Sequence, residues 1–519
     1  MKSHSLHHLL HSLSGSEKRY LRLKLGAERP GKESSLLRLM EAVLEMEEWD
    51  GEMLKLRVQG SRMADKLAET KYQLYGNVLR HLQAFHAKRN LETKLQHKLL
   101  QVDVLFEKGH FQQCLMLLKK VWKVAEREEF FLHKLAIISR YRKLIEVFAL
   151  PPNSVTYWAE QEQQAWRQLE NLNAYSRLYL VTQAQVFKVE FVRCQEDLDQ
   201  LDDLFSASMF HDPQAPLSLS AKVYFLKLRT TYFRAAVRFK ELMESSGHLL
   251  DLLESQPGLL QSHQGLYIDA LQDHFMAACF YYRIPEAISA VRRLRSLRPN
   301  SRINQVKWFF NLHFVSLNLC VYFGAFERGL EQRIRLNREM EALGLELSPM
   351  RRLFFNFNFA HAYMGTGQTR KALDHIEAIL REGAALSHTN IFGVVHILNL
   401  VLHFERGNQE ALPSVLRSSY RFLLNRKRVF GFEKAVLRFL RKQLGLQPPP
   451  LLQAFKDLRE ALMGMRNSPF EAMSLRFFDV ISWLDSRITG RPFQEIVQEK
   501  VTREELRELV GALDGEVGK

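Results

Sequence analysis

Histidines near the start of the chain give the sharpest chemical pattern. His4, His8 and His11 are spaced i, i+4, i+7, with His7 beside them. A helix would carry several of these imidazoles on one side, where they could take nickel or zinc. In the competing reading Leu6, Leu9, Leu10 and Leu13 form a buried stripe that the histidines flank. The second reading is preferred, so no metal or cofactor is expected. A phosphate loop, a GxGxxG turn after a strand, an HExxH pair and a GxSxG elbow are all missing. The carboxylate run Glu196, Asp197, Asp199, Asp202 and Asp203 reads as a solvated helix face. No catalytic residue is assigned, and the chain is expected not to be an enzyme.

Two other constellations suit binding. Asn311, Phe314 and Asn318 share one helix face, and Phe354, Phe357 and His361 share another with the same i, i+3, i+7 spacing. Asparagine amides can grip a peptide backbone through paired donor and acceptor, while aromatic rings offer apolar pockets. A mid-helix asparagine has poor helix propensity, which makes Asn318 the more telling residue. The second constellation is basic. Residues 283–307 carry net +6, with Arg292, Arg293 and Arg295 at the centre, and residues 417–442 carry net +8 around Arg426, Lys427 and Arg428, nearly all of the chain's +15. Such charge could meet phosphate backbones or acidic proteins. Interleaved Phe422, Val429, Phe432, Val436 and Phe439 instead fit a core helix with a basic outer face.

Helices must position these groups. Apolar residues recur at helical spacing almost throughout, as in Leu115, Leu118, Val121, Trp122 and Ala125. The 519 residues hold only 25 Gly and 15 Pro, too few for a strand-and-turn architecture, while 46% apolar and 25% charged residues are ordinary for a folded protein. Short breaks at 150–153, 211–216, 256–258, 298–300, 347–349 and 447–450 divide about two dozen helices. Ser14 and Glu17 have capping-box spacing and open the first confident helix.

Residues 359–381 read as a tetratricopeptide-like unit: Gly367 turns the chain and Ala372 lets the second helix approach. Residues 104–123 repeat the pattern with Gly109 and Cys114, the latter filling the small slot by packing. Weaker copies surround Gly324 and Gly329, Ala287, and Gly407. The expected fold is all-α, an α-solenoid of stacked antiparallel helix pairs forming a TPR-like right-handed superhelix. Its parts are an N-terminal helical cap (1–90), degenerate repeats (91–446), and a C-terminal helical cap with a charged tail (451–519).

The segments 13–26, 71–83, 418–442 and 477–498 together resemble a group of uncharacterised bacterial helical-repeat proteins. The resemblance implies an all-helical repeat scaffold and no transferable activity. The broader tetratricopeptide resemblance implies protein or peptide binding.

Compartment is read from Cys114, Cys194, Cys279 and Cys320, which form no CxxC pair. The longest apolar run, 391–404, is interrupted by His396, Asn399 and His403, and the start has no export pattern. A cytoplasmic protein without membrane association is expected, binding a protein or peptide. The rivals are a peptide-sensing regulator, for which residues 1–90 show no convincing helix-turn-helix, and a nucleic-acid-associated factor using the basic faces.

Overall fold

A computed structural model describes residues 4–27, 34–58, 66–87, 91–148, 151–206, 208–383, 389–408, 410–425, 429–445, 447 and 449–514. Among them are 28 helices and no strand, so the fold class is all-α. No helix among the described residues is long and apolar enough to cross a membrane. The chain divides into two compact units, Met1–Leu169 and Glu170–Lys519.

In the first unit the capping box forms as its spacing demands. The Ser14 amide donates to Glu17 Oε2 at 2.7 Å, and the Glu17 amide donates to Ser14 Oγ at 3.3 Å. Leu6, Leu10, Leu21, Leu25, Leu39, Val43, Leu74 and Val78 share one apolar core. His7 Nε2 donates to the Met46 carbonyl at 2.9 Å and His11 Nε2 to the Val43 carbonyl at 3.2 Å, so these imidazoles fasten the first helix to its neighbour. A second core gathers Cys114, Leu118, Val121, Trp122, Ile137 and Tyr141. Cys114 is fully buried with its thiol against the Val102 carbonyl, in the packing role its spacing indicated.

Among its described residues the second unit contains six successive pairs of neighbouring helices, with further helices before, between and after them. The pairs are Leu219–Ala235 with Phe239–Glu254, Gln264–Phe280 with Ile284–Ser296, Arg302–Tyr322 with Phe326–Leu343, Pro349–Gly365 with Thr369–Arg381, Asn390–Glu405 with Leu412–Asn425, and Gly431–Gln443 with Leu451–Met463. Partners pack on each other and on neighbouring pairs, except that Leu451–Met463 packs chiefly on the later helix Val480–Thr489. One turn recurs within the pairs. Val237, Tyr282, Gly324, Gly367 and Gly407 all have left-handed φ, as do Gly109 and Glu129 in the first unit. The amide after each donates to the carbonyl five residues back, for example Arg238 to Phe233 and Gln368 to Tyr363, both at 2.8 Å. This closure satisfies a helix-end carbonyl and reverses the chain in three residues.

The turn also sets the packing register. At four of these seven turns the residue five positions on is small, Cys114, Ala287, Gly329 or Ala372, and lets the paired helices approach, while Lys134, Leu242 and Leu412 fill the position at the other three. A Cβ on Gly329 would sit 3.3 Å from that of Cys320 and 3.5 Å from that of Ala362. The five pair turns of the second unit, at Val237, Tyr282, Gly324, Gly367 and Gly407, are 40–45 positions apart, a longer spacing than the ~34-residue tetratricopeptide unit.

The carboxylate run at 196–203 is mostly exposed, but Asp197 is a correction to its reading as solvated surface. Asp197 is buried in the first turn of the helix Gln195–Leu204, and its Oδ2 reaches back over the N-cap Cys194 to accept from the Arg193 amide at 3.1 Å, because a buried backbone N–H needs an acceptor in place of water.

Candidate functional site

The turn register explains why two sequence-selected triplets coincide in space. Asn311, Phe314 and Asn318 lie 43 positions before Phe354, Phe357 and His361, and Gly324 lies 43 before Gly367. Equal spacing from equal turns puts both triplets on the same face of successive first helices. All six side chains line one cavity of about 910 Å³. Asn311, Phe314 and Phe354 are half-buried, while Asn318, Phe357 and His361 are buried. Phe314 meets Phe354 edge-on, with ring centroids 5.9 Å apart, and so joins the two pairs as well as lining the space.

The same register, carried one pair back, points to Gln272 and Met276, which also line the cavity. Carried one pair forward it falls on Val394, Ile397 and Val401, all fully buried. The polar face ends there.

The opposite wall is the chain's own C-terminal segment, which runs back over the first helices. Met463, Arg466, Met473, Arg476, Phe477, Asp479 and Lys500 face the cavity. Arg476 donates to the Cys279 carbonyl, and its guanidinium lies 4.1 Å from the Tyr282 ring and 5.2 Å from that of Tyr322. Further along, Gln498 Nε2 donates to the Gly324 carbonyl at 2.8 Å and Phe493 stacks on Phe326 at 5.7 Å. Asp479 is ion-paired with Lys500. Burial raises its pKa, but that pair and the Ser482 hydrogen bond outweigh it and hold the carboxyl below its ordinary range.

Polar groups on the helical wall are arranged as acceptors. The amide nitrogens of Asn311, Asn318 and Asn358 each donate to the carbonyl four residues back, at 2.8–2.9 Å. These bonds leave the amide oxygens as acceptors. His361 Nδ1 lies 2.8 Å from the Phe357 carbonyl and must carry the proton, since a carbonyl only accepts. Burial pushes the His361 pKa down to about 4, so its Nε2 is a bare acceptor, and that atom is buried without a partner among the described residues.

The two ends of the pair series meet beside the cavity. Asn390 donates its amide N–H to Glu190 at 2.7 Å and its side-chain N–H to the Val189 carbonyl at 2.8 Å. Arg193 Nη2 lies 3.0 Å from both Glu433 oxygens and 3.6 Å from Glu471, with its guanidinium over the Phe430 ring at 4.0 Å. Arg193 and Glu433 are both buried.

Among the described residues, neither basic segment lines this cavity. Arg292 is exposed and Arg295 half-buried, while Arg293 Nε donates to Glu254 at 3.1 Å. In the same segment Lys307 pairs with Asp269 at 2.6 Å and Arg283 pairs with Glu286. Arg426, Lys427 and Arg428 lie outside the described residues. Arg441 stacks over Tyr420 at 3.8 Å.

Comparison of the chain with protein-family models, curated proteins and solved structures finds no match.

Proposed function

We propose that the second unit is an α-solenoid of stacked antiparallel, TPR-like helix pairs, a cytoplasmic and non-enzymatic scaffold that binds a protein or peptide segment in its cavity. One observation carries this reading: six residues chosen for their helical spacing, from two successive pairs, line a single cavity. Its size falls within the ~300–1,000 Å³ range of ligand sites, and aromatic walls with a few convergent polar groups are what such sites use. A peptide brings backbone N–H donors for the asparagine oxygens and side chains for the aromatic walls.

Selection of peptides on the immobilised full chain tests the proposal. Selected peptides should bind Asn318→Ala and Phe354→Ala about 10-fold more weakly, the effect of losing one well-placed anchor. Selection that yields no peptide above background, or peptides indifferent to both substitutions, would sink it.

A further inference from the structure

Arginines on the cavity wall narrow the occupant's chemistry. Arg351 is half-buried, with its guanidinium 4.0 Å from the Phe310 ring. It has no ion pair or hydrogen-bond partner among the described residues, and burial alone pushes its pKa down. Arg466, exposed on the opposite wall, likewise has no carboxylate partner among the described residues. Arg476 is held by a carbonyl and aromatic rings, without an ion pair among the described residues. Acidic groups on the wall are already committed, Asp479 to Lys500 and Glu190 to the Asn390 amide. Elsewhere in the unit arginines find carboxylates routinely, as Arg352 does in Glu382 at 2.6 Å, one residue from Arg351. Unpaired cations beside low-dielectric aromatic walls attract anions more strongly than the same charges in water.

We infer that the cavity takes an acidic, aromatic or aliphatic peptide segment, with a carboxylate held at Arg351 and Arg466 and backbone N–H groups held by Asn311, Asn318 and Asn358. The inference rests on the proposed peptide-binding function and adds the ligand's charge. Peptide is favoured over a fatty-acid-like amphiphile by the row of amide oxygens. An acyl chain has no N–H to offer them, whereas an extended peptide presents one at each residue. Arginine is also suited to hold a carboxylate through two parallel hydrogen bonds.

Isothermal titration of the full chain with two matched pools of short peptides provides the test. Both pools are randomised over Phe, Leu and Met. One carries Asp at the remaining positions and the other carries Asn, and laurate forms a third arm. The Asp pool should bind about 10-fold more tightly than the Asn pool, the scale of one charge-assisted contact. Arg351→Gln and, independently, Arg466→Gln should remove most of that difference when both pools carry amidated C-termini, with thermal melts confirming that both variants fold. Equal binding of the two pools overturns the anionic assignment while leaving peptide binding intact. Laurate binding without either pool overturns the peptide assignment, and no binding in any arm defeats the inference together with the function it rests on.

Discussion

At the scale of single residues, His361 links the cavity to acid stability. Its folded pKa of about 4 lies below the ordinary 6.5. Above pH 6.5 the imidazole is neutral whether the chain is folded or not. As pH falls from 6.5 towards 4 the unfolded chain takes up a proton that the folded one refuses, so stability is lost across that window. The full shift corresponds to about 3 kcal/mol, and about 2 kcal/mol of it should disappear between pH 7 and pH 5. Urea midpoints of the wild type and His361→Gln at these two pH values check this. The wild type should lose more stability on acidification, and parallel losses would remove His361 as the cause. The residue's position was legible from its i, i+3, i+7 spacing, but its proton state was not. That state comes from burial against Phe478, whose ring lies 5.7 Å away and belongs to a segment more than a hundred residues on.

At the scale of elements, the pair turns carry much of the architecture. Gly367 has φ +74° with open space around a built Cβ. Gly367→Ala therefore meets conformational strain without a clash, and thermal unfolding should show a cost of about 1–2 kcal/mol. Two residues earlier the reason changes. A Cβ on Gly365 would sit 2.1 Å from Phe326 Cδ2, so Gly365→Ala should cost more and displace Phe326 from its stack on Phe493. Phe326→Leu should recover part of that loss. If Phe326→Leu and Gly365→Ala prove additive, the ring contact is not the cause. Gly109, Gly324, Gly367 and Gly407 announced their turns because glycine is the residue that adopts left-handed φ without penalty. The equivalent turns at Glu129, Val237 and Tyr282 carry no such signal, and without them the 40–45-residue period could not be read. Gln272 and Met276 were missed for that reason.

At the scale of the whole second unit, Arg193 joins the ends of the pair series to the C-terminal segment. Arg193→Met leaves Glu433 and Glu471 buried without their cation, which should cost about 3–5 kcal/mol in chemical denaturation. Burial already pushes the Glu471 carboxyl up despite Arg193 and the Gly431 and Phe432 amides. The double variant Arg193→Met, Glu433→Met should regain part of the loss. A single variant costing less than about 1 kcal/mol would place the pair among contacts of surface strength. Periodicity could not disclose this joint. Helical spacing reports which face of an element is apolar, whereas Arg193 and Glu433 are 240 positions apart. Likewise Glu433 is the single acid among the basic residues of 417–442, and its place is a buried counter-charge to Arg193.

The C-terminal wall also gives the cavity a history. Its Arg476 contact with Cys279 spans 197 positions, whereas the pair turns close over a handful of residues. At ~5–20 residues per second, synthesis takes about 10–40 s to bridge that span. During this interval the helix pairs can fold while their aromatic inner face stands open. On the proposed binding function, a partner present on the ribosome would meet an uncovered trough that residues 463–500 then cover, while one arriving later would have to enter a finished chamber. Capture during translation and binding to the folded unit would then be kinetically separate events, with the sharpest difference expected in association rate.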